Sequence, residues 1–365
     1  MIEIIKKEFV LIIASLLAII TSFISTPKLE YIDFKVIILL FNLMIIIAAF
    51  KELKVLDYIA TSILKKCTSY KKLCITLVTI TFLSSMIVTN DVALITFVPL
   101  TIIIAKKSNI SSLNIIIFQT LAANLGSSFT PMGNPQNLYI YSVFNISTLN
   151  FFKITFPLVL ISFILILFLI KFEKNNTLSI NLNNIVLENK KSILLYSILF
   201  ILVLLSVFRV LDYKIIFVIT VALILLLNRK LFLKVDYSLL LTFVAFFIFI
   251  GNISSLDYVV DFMSTALSTK SNTFFSSILC SQVISNVPST MLLSNFTPYY
   301  QDLLLGVNVG GLGTLIASLA SVISYKIYVK ENSLNGSLYI KKFTLYNLIA
   351  LIIIIPLIFL QLNLG

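Results

Sequence analysis

Two stretches of this chain set small polar residues and helix breakers inside sequence that is apolar enough to lie in a lipid bilayer. The first runs from Thr81 to Asn137 and contains TFLSSMIVTNDVALITFVPL and LAANLGSSFTPMGNPQN. The second runs from Cys280 to Tyr325 and contains CSQVISNVPSTMLLSNF and LLLGVNVGGLGTLIASLASVISY. Non-helical backbone is tolerated at membrane depth only where protein or a water-filled cavity surrounds it. Both stretches are therefore candidate parts of a binding site.

The two stretches align with each other in two registers. In the first register, hydroxyl and amide residues coincide: Thr89 with Ser285, Asn90 with Asn286, and Ser85 with Ser281. In the second register, small and polar residues coincide in the same order: Asn124 with Asn308, Gly126 with Gly310, and Thr130 with Thr314. Several matches in each register indicate an internal repeat, as found in many secondary transporters.

The composition predicts an all-α polytopic membrane protein. Of the 365 residues, 59% are hydrophobic and 12% are charged, whereas about a quarter of the residues in soluble proteins are charged. The net charge of +12 comes from lysines in short runs between apolar segments, a pattern that marks cytoplasmic loops. We therefore expect the lipid bilayer, and not a nucleic acid, to be the partner of this chain.

Several kinds of chemistry are unsupported by the residues present. The chain contains no histidine, which excludes imidazole acid–base chemistry and histidine-ligated metal sites. Its three cysteines, Cys67, Cys74 and Cys280, have no disulfide-framework or metal-ligand spacing. We expect no catalytic residue, no cofactor and no metal site other than one for a coupling ion, Na⁺ or H⁺.

Apolar run lengths and flanking charges predict nine full crossings of the cytoplasmic (inner) membrane. The predicted crossings cover residues 9–25, 34–50, 113–142, 151–170, 192–208, 213–227, 239–256, 303–325 and 345–360. Amphipathic segments at 51–67 and 257–269 are predicted to lie in the membrane interface. This arrangement places the N-terminus in the cytoplasm and the C-terminus outside.

Two further segments, 73–105 and 274–296, are predicted to be re-entrant hairpins. Lysines flank both ends of the first segment, so this hairpin is expected to enter from the cytoplasm and to turn near Asn90. The segment before the second hairpin carries acidic residues instead, so the second is expected to open to the outside. The alternative for 73–105 is one long tilted helix, which would overshoot a hydrocarbon core of about 30 Å.

Because the two hairpins are predicted to open to opposite sides of the membrane, the two repeats have inverted topology. The predicted first repeat is 1–170, with its hairpin and the broken helix 113–142. A cytoplasmic linker at 171–191 and a connecting transmembrane helix at 192–208 follow. The second repeat is 209–365, with its hairpin and the broken helix 303–325. The connecting helix is the extra crossing that inverts the second repeat.

The repeated segments predict a site near the middle of the membrane. Hairpin turns and broken helices leave orphan backbone groups and exposed helix ends, which attract ions. Glycines there allow the close backbone approach that an oxygen cage needs: Gly126, Gly310 and Gly311. Neighbouring hydroxyl and amide side chains can complete such a cage: Ser85, Thr89, Asn90, Thr130, Ser281, Ser285, Asn286 and Thr314.

Asp91 is the only acidic residue that this interpretation places inside the hydrocarbon. Intramembrane carboxylates are costly and usually mark an ion or proton path. Its counterpart in the second repeat is Val287, so the two halves are not equivalent. We hypothesise that Asp91 binds or releases the coupling cation or proton; the alternative is that it caps the second helix of the first hairpin.

The motifs VTNDVALITFVPL with NLGSSFTPMGNPQNL, and VISNVPSTMLL with GVNVGGLGTLIASLAS, resemble those of the ion transporter superfamily. That superfamily includes the divalent anion/sodium symporters and the arsenite permeases, and the closest resemblance is to its YbiR-like anion permeases. The resemblance implies a homodimer with a scaffold domain and a transport domain that moves like an elevator. It also implies two cation sites, one at Ser85, Thr89, Asn90 and Gly126 and the other at Ser281, Ser285, Asn286 and Gly310.

The resemblance further implies that substrate lies between the hairpin tips. By position, the substrate-binding residues are Thr89, Asn90, Asp91, Thr130, Pro131, Ser285, Asn286 and Thr314. The sequence departs from the symporter signature at Asp91 and at Val287–Pro288, and a carboxylate facing a dicarboxylate would repel it.

We interpret the chain as a secondary active transporter of a small anion, either a carboxylate or an inorganic oxyanion. The alternatives are a cation/proton antiporter, an arsenite-type efflux permease that uses Asp91, and a channel lined by the two hairpins. An enzyme is not expected.

Overall fold

The computed structural model describes residues 9–65, 67–178, 185–187 and 189–364. Within these ranges the regular structure is helical, with 17 α-helices and short 3₁₀ turns. The first nine helices are α1 Phe9–Ser22, α2 Phe34–Glu52, α3 Val55–Leu64, α4 Tyr70–Val88, α5 Asn90–Lys107, α6 Leu113–Gly126, α7 Pro135–Val143, α8 Thr148–Lys171 and α9 Lys190–Val207. The remaining eight are α10 Tyr213–Asn228, α11 Tyr237–Ile253, α12 Asp257–Ala266, α13 Lys270–Ile284, α14 Asn286–Ser294, α15 Tyr300–Gly310, α16 Leu319–Glu331 and α17 Gly336–Leu364.

Several helices are long and apolar enough to span a bilayer. By length and hydropathy they are Phe34–Glu52, Tyr70–Val88, Thr148–Lys171, Lys190–Val207, Tyr213–Lys234 and Gly336–Asn363. The pair α11 and α12, bent by 102°, is a seventh candidate. The chain is therefore a multi-pass membrane protein, as its composition predicts.

The nine crossings predicted from the sequence exceed these six or seven candidates. Three of the nine predicted crossings are short or broken helices. The described part of α1 has 14 residues, fewer than the roughly 17 that a full crossing needs. The pieces of the two broken helices have 14, 9, 11 and 13 residues. Conversely α4, predicted as a hairpin arm, has 19 residues and is long enough to cross alone. The count of nine stays a prediction.

Large apolar side chains cover much of the outer surface. Leu226 of α10 is 83% exposed and Ile352 of α17 is 70% exposed. In water such a surface would drive association, whereas in a bilayer it faces lipid tails of the same polarity.

The arms of the first hairpin, α4 and α5, lie side by side. The Gln119 side chain of α6 donates a hydrogen bond to Thr81 of α4 over 3.1 Å and accepts one from Thr101 of α5 over 2.8 Å. In one continuous helix Thr81 and Thr101 would lie about 30 Å apart. The alternative of a single long helix through residues 73–105 is therefore wrong.

The arms of the second hairpin, α13 and α14, also fold back on each other. The hydroxyl of Thr273 near the start of α13 lies 2.9 Å from that of Thr297, which follows α14. The described arms differ in length, with 15 residues in α13 and 9 in α14. Both hairpins turn through a single residue, Thr89 in the first and Ser285 in the second.

Both broken helices are interrupted where glycine and proline predict it. In the first broken helix, α6 ends at Gly126 and α7 begins at Pro135, with the Asn134 side chain accepting from the Asn137 N–H as the N-cap. In the second, α15 ends at Gly310 and α16 begins at Leu319. The first break, residues 127–134, lies inside the predicted unwound segment NLGSSFTPMGNPQN. The second break, residues 311–318, begins within the predicted segment VNVGGLGT, whose first four residues are still helical.

Some predicted boundaries need correction. The stretch 326–342, which the predicted crossings 303–325 and 345–360 leave between them, is mostly helical, because α16 continues to Glu331 and α17 begins at Gly336. The amphipathic segments form short helices, α3 and α12, and their interfacial position stays a prediction. Within the predicted linker 171–191, residues 179–184 and 188 lie outside the described residues.

Helix α6 lies at the centre of the fold. Every residue of α6 except Asn114 is buried, because the helix packs against both arms of the first hairpin and against α8, α16 and α17. Away from this centre, α2 packs against α9 and α10, and α1 packs along α11. The broken helices and hairpins therefore form one packed unit at the core of the chain.

Because Gln119 joins the hairpin arms, Thr101→Val should destabilise the fold more than Thr96→Val. Loss of the Thr101 hydroxyl leaves the Gln119 carbonyl oxygen without its buried donor, at a cost of about 1–3 kcal/mol. Among the described residues the Thr96 side chain bonds only to the Val92 carbonyl oxygen of its own helix, so Thr96→Val is the matched control. Thermal unfolding in detergent measures both, and equal shifts in Tm would contradict the bridging role.

Candidate binding site

The first hairpin tip has an unusual backbone. Thr89 has φ 78° and ψ 152°, a region that side chains with a Cβ rarely enter because of steric strain. This conformation points the next backbone N–H, that of Asn90, at the carbonyl oxygen of Gly133 in the first broken helix, 3.1 Å away. The Asn90 side chain also donates to the side-chain oxygen of Asn124 over 3.3 Å. The tip is thus held against the break in the helix.

The second tip repeats this conformation. Ser285 has φ 75° and ψ 153°, within a few degrees of Thr89, its counterpart in the sequence alignment. Its hydroxyl lies 3.5 Å from the carbonyl oxygen of Ala317, which stands in the second broken helix where Gly133 stands in the first. Two non-glycine residues with the same strained backbone at aligned positions support the repeat register.

Each hairpin contacts its broken helix through an aligned serine and glycine. A Cβ on Gly126 would lie 2.5 Å from the Phe82 carbonyl oxygen and 2.7 Å from Ser85 Oγ. A Cβ on Gly310 would lie 2.8 Å from both Cβ and Oγ of Ser281. Neither gap can hold a methyl group, so both positions require glycine for close approach.

An aligned pair of threonines makes a third equivalent contact. The Thr130 hydroxyl donates to the carbonyl oxygen of Met86, and the Thr314 hydroxyl donates to that of Gln282 over 3.1 Å. Met86 directly follows Ser85, and Gln282 directly follows Ser281. Thr130 is half-buried and Thr314 exposed, while Pro131 is buried within the first break.

A network of buried amides and hydroxyls joins the two halves, and the sequence analysis missed most of it. Its links are Asn124 to Ser321 at 3.0 Å, Asn134 to Asn308 at 3.1 Å, Asn308 to Asn137 at 2.7 Å and Ser318 to Asn124 at 3.1 Å. Asn124 also donates to the Gly311 carbonyl oxygen at 3.4 Å, and Gly311 lies beside the Asn286 side chain. Asn124 therefore bonds to the first tip and to backbone beside the second tip.

A pattern in the sequence could have revealed this network. Asn124 and Asn308 occupy aligned positions in the two repeats. Two further asparagines, Asn134 and Asn137, lie in the NPQN run of the first repeat. Four asparagines inside apolar sequence must find partners, and the nearest partners are one another. The predicted site residues fall into two groups, Ser85, Thr89, Asn90, Gly126 and Thr130 in the first half, and Ser281, Ser285, Asn286, Gly310 and Thr314 in the second.

Asp91 lines a cavity that borders both the first tip and the first break. This cavity has a volume of about 210 Å³, and Thr89, Asp91, Lys51, Lys234 and Asp236 contribute to its lining. The side chain of Thr89, the N-cap of α5, makes no capping hydrogen bond, and the side-chain oxygen of Asn90 accepts from the Asp91 N–H over 3.0 Å. Asp91 lies in the first turn of α5, and both its coupling role and the capping alternative stay predictions.

Comparison with known proteins identifies the family. The profile described as citrate transporter (CitMHS) matches residues 1–303, most of the chain. The chain belongs to the citrate transporter family. Its resemblance to the ion transporter superfamily is thereby confirmed, and the chain is a membrane transporter of this family.

Relatives across several organisms agree with this assignment. This family member is 36% identical to "Uncharacterized transporter MJ0456" of Methanocaldococcus jannaschii, over 86% of the chain and 85% of the relative. It is 33% identical to "Inner membrane protein YbiR" of Escherichia coli, over 74% and 73% of the two chains. It is also 28% identical to "Putative transporter arsB" of Dictyostelium discoideum, over 42% and 28%.

Because the two glycine contacts are equivalent, Gly126→Ala and Gly310→Ala should both lower the stability of this transporter. Each added methyl group must push the hairpin away from the broken helix. Gly336→Ala is the control, since its Cβ would first meet the end of the Tyr325 side chain at 3.3 Å. Thermal unfolding of the three variants checks this prediction, and stability unchanged by both core substitutions would refute the close contact.

Proposed function

We propose that the chain is a secondary active transporter that moves a small anion, a carboxylate or an inorganic oxyanion, with Na⁺ or H⁺ as the coupling ion. The observation that carries this proposal is the paired geometry of the tips. In each half, one strained hairpin residue, one serine–glycine contact and one threonine hydrogen bond hold a hairpin against a broken helix. Helix ends and unwound backbone of this kind bind substrates and coupling ions in transporters.

The two hairpins are proposed to enter the membrane from opposite sides, which makes the repeats inverted. The last turn of α5, at the base of the first hairpin, carries Lys106, which pairs with Glu331 over 2.5 Å. The helix before the second hairpin instead carries Asp257 and Asp261. Under the positive-inside rule, the first base is cytoplasmic and the second is outside. The N-terminus is then cytoplasmic and the C-terminus outside the inner membrane.

Substrate is proposed to bind between the tips, near Asn90, Asn286, Thr130, Pro131 and Thr314. The Asn90 amide donates to Asn124, and Asn124 in turn reaches Gly311 beside Asn286. Amide and hydroxyl donors can bind anion oxygens without a fixed positive charge. The resemblance adds the expectation of a homodimer in which this unit moves against a scaffold, elevator-fashion.

A second candidate function rests on Asp91. Its side chain lines a cavity that Lys51 and Lys234 also line. A cation/proton antiporter, or an arsenite-type efflux permease, would need only this carboxylate. Anion transport would require Asn90 and Asn286, whereas the function based on Asp91 would not.

Uptake into proteoliposomes across a panel of anions, with Na⁺ and pH gradients imposed separately, tests the proposal. We expect one gradient to drive accumulation of an anion, and we expect Asn90→Ala or Asn286→Ala to reduce it at least tenfold. Removal of either amide takes away a proposed donor to substrate, and removal of the Asn90 amide also takes away its hydrogen bond to Asn124. Asn150→Ala, at an exposed position outside the site, is the matched control.

The same vesicles separate the two candidate functions. If no anion moves but a Na⁺ gradient drives proton flux that Asp91→Asn abolishes, the antiporter interpretation is correct and the anion proposal is wrong. If anion accumulation survives both asparagine variants, the site between the tips is wrong. Saturable uptake with counterflow distinguishes a carrier from a channel.

A further inference from the structure

A large apolar groove borders the second hairpin tip. Its volume is about 800 Å³. Helices α1 and α11 line one part of the groove, and the second hairpin and the second broken helix line the rest. The groove is therefore distinct from the cavity that Asp91 lines beside the first tip.

Apolar residues at the second tip are exposed, whereas their counterparts in the first half are buried. Ile284, directly before the tip residue Ser285, is 37% exposed, and its counterpart Val88 is 3% exposed. Ile316 in the second break is 59% exposed, and its counterpart Met132 is 5% exposed. Ile284 and Ile316 both line the groove. The protein itself covers this surface at the first tip but not at the second.

The groove is elongated and carries a positive charge at one end. It runs along α16 from Leu319 to Lys326 and along α1 from Val10 to Leu17, each a rise of about 10 Å. Among the described residues that line it, Lys326 is charged, Ser285 is polar and the others are apolar. Lys326 is exposed and forms no ion pair or side-chain hydrogen bond with the described part of the chain.

This combination of surfaces selects between possible occupants. A small anion could pair with Lys326 but has no apolar part to cover Ile284 and Ile316. A second copy of the chain would need an acidic group beside an apolar helix face, and the long lipid-exposed helices α8, α9, α10 and α17 contain no Asp or Glu. An amphiphile with one anionic head group and a hydrocarbon tail matches both the charge and the apolar walls.

We propose that an anionic phospholipid binds in this groove, with its phosphate on Lys326 and one acyl chain extending to Ile316 and Ile284 at the second tip. Basic pockets between transmembrane helices bind lipid head groups in the same way. The acyl chain covers the apolar surface that protein covers at the first tip. The site lies outside the space between the tips, and the inference does not depend on which solute is transported.

Native mass spectrometry of the purified, delipidated protein tests the proposal as lipid is added back. We expect one phosphatidylglycerol molecule to bind per chain. Phosphatidylcholine should bind about fivefold more weakly, the contribution of one lysine near a membrane surface, because its choline cation opposes Lys326. Glycerol 3-phosphate, which has the head group's phosphate without a tail, should not bind.

Two variants separate the head-group contact from the tail contact. Lys326→Gln should weaken phosphatidylglycerol binding about fivefold, whereas Lys330→Gln, one turn further along α16 and also exposed, should not. Val322→Trp should fill part of the groove and reduce the lipid occupancy at least fivefold. Its control is Leu226→Trp on α10, at a position that is 83% exposed and lies outside the groove.

Four results would overturn the inference. Equal binding of phosphatidylcholine and phosphatidylglycerol, or binding that Lys326→Gln leaves unchanged, would indicate only general contact with lipid. Equally tight binding of glycerol 3-phosphate would assign Lys326 to free phosphate. A dimer that binds no lipid and that Val322→Trp dissociates would assign the groove to a second copy. The comparison of the two lipids uses wild type alone, so it decides the matter even if a variant fails to fold.

Discussion

Every backbone N–H and C=O group inside a bilayer must find a partner within the protein, and the structure depends on how two broken helices meet that requirement. At each break a hairpin tip supplies the partners. Asn90 donates its backbone N–H to Gly133, and Gln282 satisfies three backbone groups around Gly310. The breaks therefore depend on the hairpins. The strained backbone at Thr89 and Ser285 brings each tip into contact with its break, and these contacts in turn stabilise the strained conformation.

The same requirement explains why the centre of the molecule is rich in asparagine. Asn124, Asn134, Asn137 and Asn308 are all buried, and each has a partner in the opposite half or across its own break. A fully satisfied polar network in a low-dielectric interior is rigid, whereas a partly satisfied one is costly. The network therefore holds the two halves in one arrangement.

Much of this architecture could be predicted from the sequence, because membrane helices and their breaks leave strong local signals. The breaks at Gly126 and Gly310, the turns at Thr89 and Ser285, and the serine–glycine pairs all follow from the alignment of the repeats. The bridge from Gln119 to Thr81 and Thr101 could not be predicted, since it depends on how three helices rotate against one another. The hydrogen bonds of Gln282 could not be predicted from the repeat either. Gln282 aligns with Met86, and an alignment of repeats identifies only the residues that the two halves share.

The central claim is that the two hairpins open to opposite sides of the membrane, and its most direct test is the sidedness of their bases. In a variant lacking Cys67, Cys74 and Cys280, single cysteines would replace exposed Ser111, after the first hairpin, and exposed Ser268, before the second. A membrane-impermeant maleimide would then be applied to right-side-out and inverted vesicles. The account predicts that Ser111→Cys reacts only from the cytoplasm and Ser268→Cys only from outside. Reaction of both from the same side would contradict the inverted repeat and the site built on it.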